Sequence, residues 1–137
     1  MRKRTLAREF AIQVLYQVDI TRDTGEDSLG TFWATQEQEV SDDIKGFTEE
    51  LVVGTLAHVQ GVDKKIMEYA SNWQLKRMAV VDRNILRLGC YEILFRDDIP
   101  PKVSINEAVE LAKRYSGPEA GKFVNGILDK IKLEKNK

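Results

Sequence analysis

Apolar residues recur at i, i+3, i+4, i+7, i+8 and i+11 from Ala7 through Phe10, Ala11, Val14 and Leu15 to Val18. That spacing predicts an amphipathic helix with one buried stripe. Between Arg22 and Ser41 the periodicity lapses apart from Leu29, Phe32 and Trp33, and Gly25 and Gly30 interrupt it, which predicts a connection with one short helix. From Ser41 the period returns in Ile44, Phe47, Leu51, Thr55, Leu56 and Val59, with Asp42 and Asp43 where the positive end of a helix dipole favours carboxylates. Gly61 is expected to bend or end this helix.

Val62, Ile66 and Tyr69 share one side of a further helical stretch reaching Ala70, and Trp73 and Leu75 lead into AVVDRNILRLGCYEILF. This run is apolar almost all round, interrupted by Asp82, Arg83, Asn84, Arg87 and Glu92, so it is the candidate central helix. DDIPPK breaks it, because two consecutive prolines cannot continue a helix. The next helix is expected over 104–115, where Ser104 and Glu107 have the spacing of a capping box. SGPEAG reads as a tight break with Pro118 at a first helical position. The last helix carries Phe123, Val124, Ile127, Leu128 and Ile131, and KLEKNK (132–137) reads as a solvated, flexible tail. No segment shows strand alternation, a solenoid period or low complexity. The expected fold is all-α, six or seven helices packed as one or two small bundles.

Composition narrows the class. The chain has 137 residues, enough for one domain with a core, and its 42% apolar and 31% charged residues are those of a globular protein. No apolar run approaches the roughly 18 residues that span a bilayer, and the basic amino terminus lacks the continuous apolar segment of a signal peptide. One cysteine, Cys90, allows no internal disulfide framework and fits a reducing compartment, so the expected location is cytoplasmic. Catalytic chemistry is thin. His58 lies in a helical pattern and Cys90 beside Gly89 in the most apolar run, and neither has ligand or triad spacing nearby, so each reads as a packing residue or, for His58, a solvated one. No Gly-rich loop follows a strand. Neither an enzyme nor a cofactor or metal is expected.

Charge, by contrast, is unevenly placed. The net charge is -1, yet Arg2, Lys3, Arg4 and Arg8 stand within the first eight positions with no acid among them, while 23–50 holds nine acids against Lys45. Arg4 and Arg8, one turn apart, border the apolar stripe of the first helix, where they could flank a groove or form part of a solubilising terminus. In the last helix Phe123 falls at the margin of the stripe, with Lys122, Gly126, Lys130 and Glu119 as its wheel neighbours. An aromatic ring between lysines beside a glycine suits single-stranded RNA, whose phosphates take the cations and whose splayed bases stack on the ring. The same ring could equally be an ordinary core residue. Tyr16 is placed opposite the buried stripe, and Asp82 at the start of the central helix. An exposed aromatic favours a protein interface, although a plain surface tyrosine and a dipole carboxylate would look the same.

The stretches AREFAIQVLYQ, DRNILRLGCYEIL and VSINEAVELAKRYSGPEAGKFVNGILDKI closely resemble the NusB family of bacterial transcription antitermination factors over nearly the whole chain. The last block is the specific one: a helix ending in ELAK, a short break, then KFVNG-I-LDK. The resemblance implies two small helical bundles, no catalysis, binding to boxA-type single-stranded RNA of ribosomal RNA leader transcripts, and a complex with NusE, a small-subunit ribosomal protein, within the RNA polymerase antitermination complex. It carries Arg4 and Arg8, with Arg2 and Lys3 beside them, and Lys122, Phe123 and Asn125 over as RNA-binding residues. It also carries over Tyr16 and Asp82 as residues of the NusE side. Thr5 and Leu6 depart from the longer arginine run of some members, which points to lower electrostatic affinity. Glu119, in the variable GPEAG loop, either tunes RNA contact or does nothing. A helical adaptor without direct RNA binding remains the alternative, and a homodimer is left open. The RNA methyltransferases that carry a NusB-like domain need a methyl-donor domain for which this sequence has no counterpart.

Overall fold

The computed structural model describes residues 2–70 and 75–135, and these form two compact units, 1–57 and 58–137. All regular structure among the described residues is helical. The first unit contains α1 (Lys3–Thr21), α2 (Gly25–Ala34) and α3 (Asp42–Ala57). The stripe read from the sequence is its core: Ala7, Ala11, Val14 and Leu15 of α1 are buried, as are Leu29 of α2 and Phe47, Leu51 and Val52 of α3, and α1 packs on both other helices. Thr48 ties α3 to α1 by donating its hydroxyl towards the Ala7 carbonyl at 3.3 Å and the Ile44 carbonyl at 2.8 Å. α2 is a full helix of 10 residues, started by Thr24, whose side chain accepts from the Asp27 amide. Phe10, Phe32 and Trp33 lock α2 to α1 through edge-on contacts with centroids 5.0–5.8 Å apart.

The second unit contains α4 (Val59–Tyr69), a single 3-10 turn (Leu75–Arg77), α5 (Val80–Phe95), α6 (Pro101–Ser116) and α7 (Pro118–Lys135). As expected, α5 is central, with α4, α6 and α7 against it. Gly89 permits the approach of α7, since a Cβ there would sit 2.7 Å from Leu128 Cδ1. Arg87 grips Asp63 of α4 with two hydrogen bonds of 2.7 and 3.0 Å. Gly117, at φ 106°, makes the sharp turn into Pro118, the first residue of α7.

Three sequence-based expectations are corrected. The break after α3 falls at His58, and Gly61 sits inside α4 on its exposed side, where lacking a side chain costs little packing. Helix α6 begins at Pro101, whose missing N–H is harmless in a first turn. Ser104 is therefore inside the helix, where its hydroxyl donates to the buried Glu92 carboxylate at 2.8 Å instead of closing a capping box. The stretch read as a solvated tail continues α7 to Lys135: Glu134 accepts from Tyr69 and pairs with Lys65 at 2.7 Å, and the Lys135 ammonium donates to the Ile93 carbonyl and to Asp97. Those contacts raise the Tyr69 and Lys65 pKa values above their ordinary ranges, in each case chiefly through the hydrogen bond to Glu134. Trp73, Asn136 and Lys137 lie outside the described residues.

Candidate functional site

In the first unit the basic amino terminus is split by burial. Arg2, Lys3 and Arg4 are exposed, but Arg8 is only 2% exposed and ranks among the largest fully buried side chains. Both guanidinium groups of the Arg4–Arg8 pair lie over one ring, Phe47 of α3, with Cζ 4.4 Å (Arg4) and 5.6 Å (Arg8) from its centroid. This is cation–π packing, and the shallower member remains open to solvent. Of the two residues that border the stripe, Arg8 thus packs into the interior of the first unit while Arg4 stays at its surface. Arg4 also lines a hollow of about 460 Å³ with Lys3, Asp42, Asp43 and Glu50. Lys3 stands 3.6 Å from Asp43, and both are largely exposed, so the pair is weak. Positive charge that is unopposed along the first eight residues therefore meets carboxylates in space. Tyr16 is exposed, as its wheel position requires.

In the second unit the structure supports the edge position of Phe123. The ring is half-buried, Lys122, Asn125, Gly126 and Lys130 are exposed around it on α7, and nothing lies within 4 Å of where a Gly126 Cβ would be. Glu119, one turn before Phe123, is exposed and stands 3.6 Å from the Lys122 ammonium. Phe123, Glu119 and Asp82 line one hollow of about 390 Å³, together with Arg77, Met78, Ala79, Ser116 and Ala120. Asp82 is held there by the Ser116 hydroxyl, which donates to its carboxylate at 2.6 Å. Residues 82 and 123 are far apart in sequence, and no periodicity could have joined them. Ser116 and Arg77 in this hollow, and Phe47 beneath Arg4, are the members that sequence reasoning missed. The aromatic–basic spacing of Arg4, Arg8 and Phe47 is not local, so no sequence signal marked the last.

His58 and Cys90 line neither hollow. His58 is exposed and stacks on Phe95 at 3.9 Å, and Cys90 is buried, with its thiol pushed up to about 12 by desolvation. No group of acids, histidine and cysteine among the described residues could hold a metal ion, and no described helix is long and apolar enough to cross a membrane.

Two helical units, each with a surface hollow in which cations and carboxylates meet beside an aromatic ring, define a small all-helical protein. The chain belongs to the NusB family, whose model matches residues 5–132. It is 44% identical over 140 residues to the transcription antitermination protein NusB of Thermodesulfovibrio yellowstonii, covering 96% of this chain and 93% of that protein. Its fold matches T. maritima NusB with a TM-score of 0.87 at 36% identity, over 98% of this chain and 92% of that one. It also matches a chain in the crystal structure of antitermination factors NusB and NusE in complex with dsRNA, with a TM-score of 0.87 at 30% identity and 98% of each chain covered. The family is one of transcription antitermination factors, not of enzymes.

Proposed function

We propose that this chain binds boxA-type single-stranded RNA of ribosomal RNA leader transcripts together with NusE, and so joins the RNA polymerase antitermination complex. The observation that carries the reading is the half-buried Phe123 ring with Lys122 and Asn125 exposed beside it and open space above Gly126. A ring anchored on its inner side and open on its outer one offers a face to a base without unfolding anything, and stacking of this kind is worth about 1–3 kcal/mol per base. Lys122 supplies a phosphate contact and Asn125 a hydrogen-bonding amide. Arg4, with Arg2 and Lys3, supplies the electrostatic term from the first unit. Arg8 acts through Phe47, holding the ring under Arg4. Glu119 draws Lys122 towards itself and weakens its hold on phosphate.

Tyr16 and Asp82 form the NusE side in this reading. A relative of the same fold is found with NusE and double-stranded RNA, which supports both kinds of partner. The carboxylates beside Lys3 and Arg4 favour the competing reading of a protein adaptor without RNA contact. Titration of the full chain with boxA-type single-stranded RNA, a scrambled strand and a duplex, each with and without NusE, separates the two. Tighter binding of the boxA-type strand, enhanced by NusE, is expected. Equal weak binding of all three RNAs alongside firm NusE binding would establish the adaptor.

A further inference from the structure

On the first unit, α2 and α3 leave an open groove of about 780 Å³ that neither the RNA nor the NusE reading uses. Helix α2 lines it with Glu26, Leu29, Gly30 and Trp33, which follow at i, i+3, i+4 and i+7 and so share one face. Helix α3 lines it with Glu49, Val53 and Leu56, at i, i+4 and i+7. The two helices run antiparallel: a Cβ on Gly25 would stand 2.7 Å from Leu56 Cδ1 at one end, while at the other the Trp33 indole Nε1 donates to Glu49 at 3.2 Å. Leu29 is buried, Trp33 and Leu56 are half-buried, and Val53 is 56% exposed. At Gly30 the groove is open, with nothing within 4 Å of where its Cβ would be.

The charges on this groove are of one sign. Glu26 and Glu49 line it, and no lysine or arginine among the described residues does. The one cation of 23–50, Lys45, is outside the lining, its ammonium 5.6 Å from the centroid of the Trp33 ring. Glu26 stands two turns before Trp33, whose indole fixes Glu49, so the carboxylates mark opposite ends of an apolar trough about 10 Å long at 1.5 Å per residue. Carboxylates so far apart cannot share one metal ion, and they repel a phosphate backbone. They match two cations about two helical turns apart. A helix with lysine or arginine at those places and apolar side chains between them on the same face has the complementary shape and charge.

We propose that the groove between α2 and α3 takes a basic amphipathic helix of a protein partner: its apolar side chains enter over Gly30 between Val53 and Trp33, and a lysine or arginine at each end meets Glu26 and Glu49. This gives the acidic stretch 23–50 a binding role of its own, and it depends on neither the RNA nor the NusE reading.

The test titrates the full chain with a labelled synthetic peptide helix of leucines and alanines that carries a lysine at each end of its apolar face. A counterpart with glutamates for the lysines and a scramble of the lysine peptide serve as comparisons. The lysine peptide is expected to bind at least about tenfold more tightly than either. Leucine favours a helix more than glycine does and meets open space here, so Gly30→Leu is expected to melt no lower than the unaltered chain, yet to bind the peptide about tenfold or more weakly. Glu26→Gln/Glu49→Gln keeps the acceptor for Trp33 and is expected to bind about two- to tenfold more weakly, with a flatter salt dependence. Glu37→Gln/Glu39→Gln removes the same charge outside the groove and is expected to change neither. Equal losses in the two double variants would reduce the effect to general attraction by the acidic stretch and overturn the groove. Undiminished binding by folded Gly30→Leu, or equal binding of the glutamate peptide, overturns it too. Absence of peptide binding together with self-association relieved by Gly30→Leu would assign the groove to a second copy of the chain, and loss of boxA-type RNA affinity in that variant would assign it to nucleic acid; either overturns the proposal.

Discussion

Replacing Arg4 and Arg8 by alanine one at a time separates two roles that a helical wheel cannot distinguish. Arg8 is 2% exposed, and its guanidinium is engaged within the protein, including over the Phe47 ring. Arg8→Ala removes a large interior side chain, aliphatic stem included, and a cost of about 2–4 kcal/mol is expected for a truncation of that size. At roughly 4 °C per kcal/mol for a chain of this length, melting should fall by about 8–16 °C. Arg4 is exposed over the same ring at 4.4 Å, where a cation–π contact contributes about 0.5–1 kcal/mol, so Arg4→Ala should cost only about 2–4 °C. The RNA readout reverses the order. Loss of one phosphate contact by Arg4→Ala should flatten the slope of log affinity against log salt by about 0.7, while folded Arg8→Ala should keep its slope. Melting curves and fluorescence anisotropy across a salt series, on the same samples below the melting range, give both quantities. An Arg8→Ala protein that melts normally but loses salt dependence would refute the reasoning, because a side chain in the interior cannot also be a phosphate ligand.

Phe123→Leu keeps most of the apolar contact but has no π face, so a small loss of melting temperature with RNA binding weakened by about 1–3 kcal/mol is expected; retained affinity in the folded variant would return the residue to the core. Asp82→Lys should impair NusE binding and, by placing a cation beside Phe123, leave RNA affinity undiminished, which pull-down and anisotropy check together. Cys90, held up to about 12 by burial from an ordinary thiol value of 9.0, favours the fold while protonated. That contribution is complete below the ordinary thiol value and is lost as pH rises towards 12. Urea midpoints of the unaltered chain should therefore fall relative to Cys90→Ala above about pH 9, and iodoacetamide should modify the thiol only in denaturant.

The elements with strong helical periodicity were legible in sequence: α1, α3, α5 and α7 stand where the apolar spacing places them. What failed depended on contacts distant along the chain. Arg8 borders the stripe, and its packing over Phe47 of α3 is a contact that a wheel of α1 cannot show. Ser104 and Glu107 satisfy a local capping pattern, but the buried Glu92 carboxylate, on another helix, claims the serine hydroxyl. The charges of KLEKNK look solvated in isolation, whereas Tyr69, Lys65 and Asp97 tie Glu134 and Lys135 down. The Phe123 edge was readable because one helix defines it. The hollow it shares with Asp82 and Ser116 was not, since three segments build it.

Photocrosslinking tests the RNA site most directly. A boxA-type strand carrying 4-thiouridine is irradiated with the full chain, with and without NusE, and the adducts are located by mass spectrometry. If the two described surfaces bind one RNA, adducts fall on the α7 peptide containing Lys122, Phe123 and Asn125 and on the amino-terminal peptide containing Arg4. Adducts confined to the Gln13–Ile20 face of α1, with none on α7, would contradict the assignment of Phe123 to RNA.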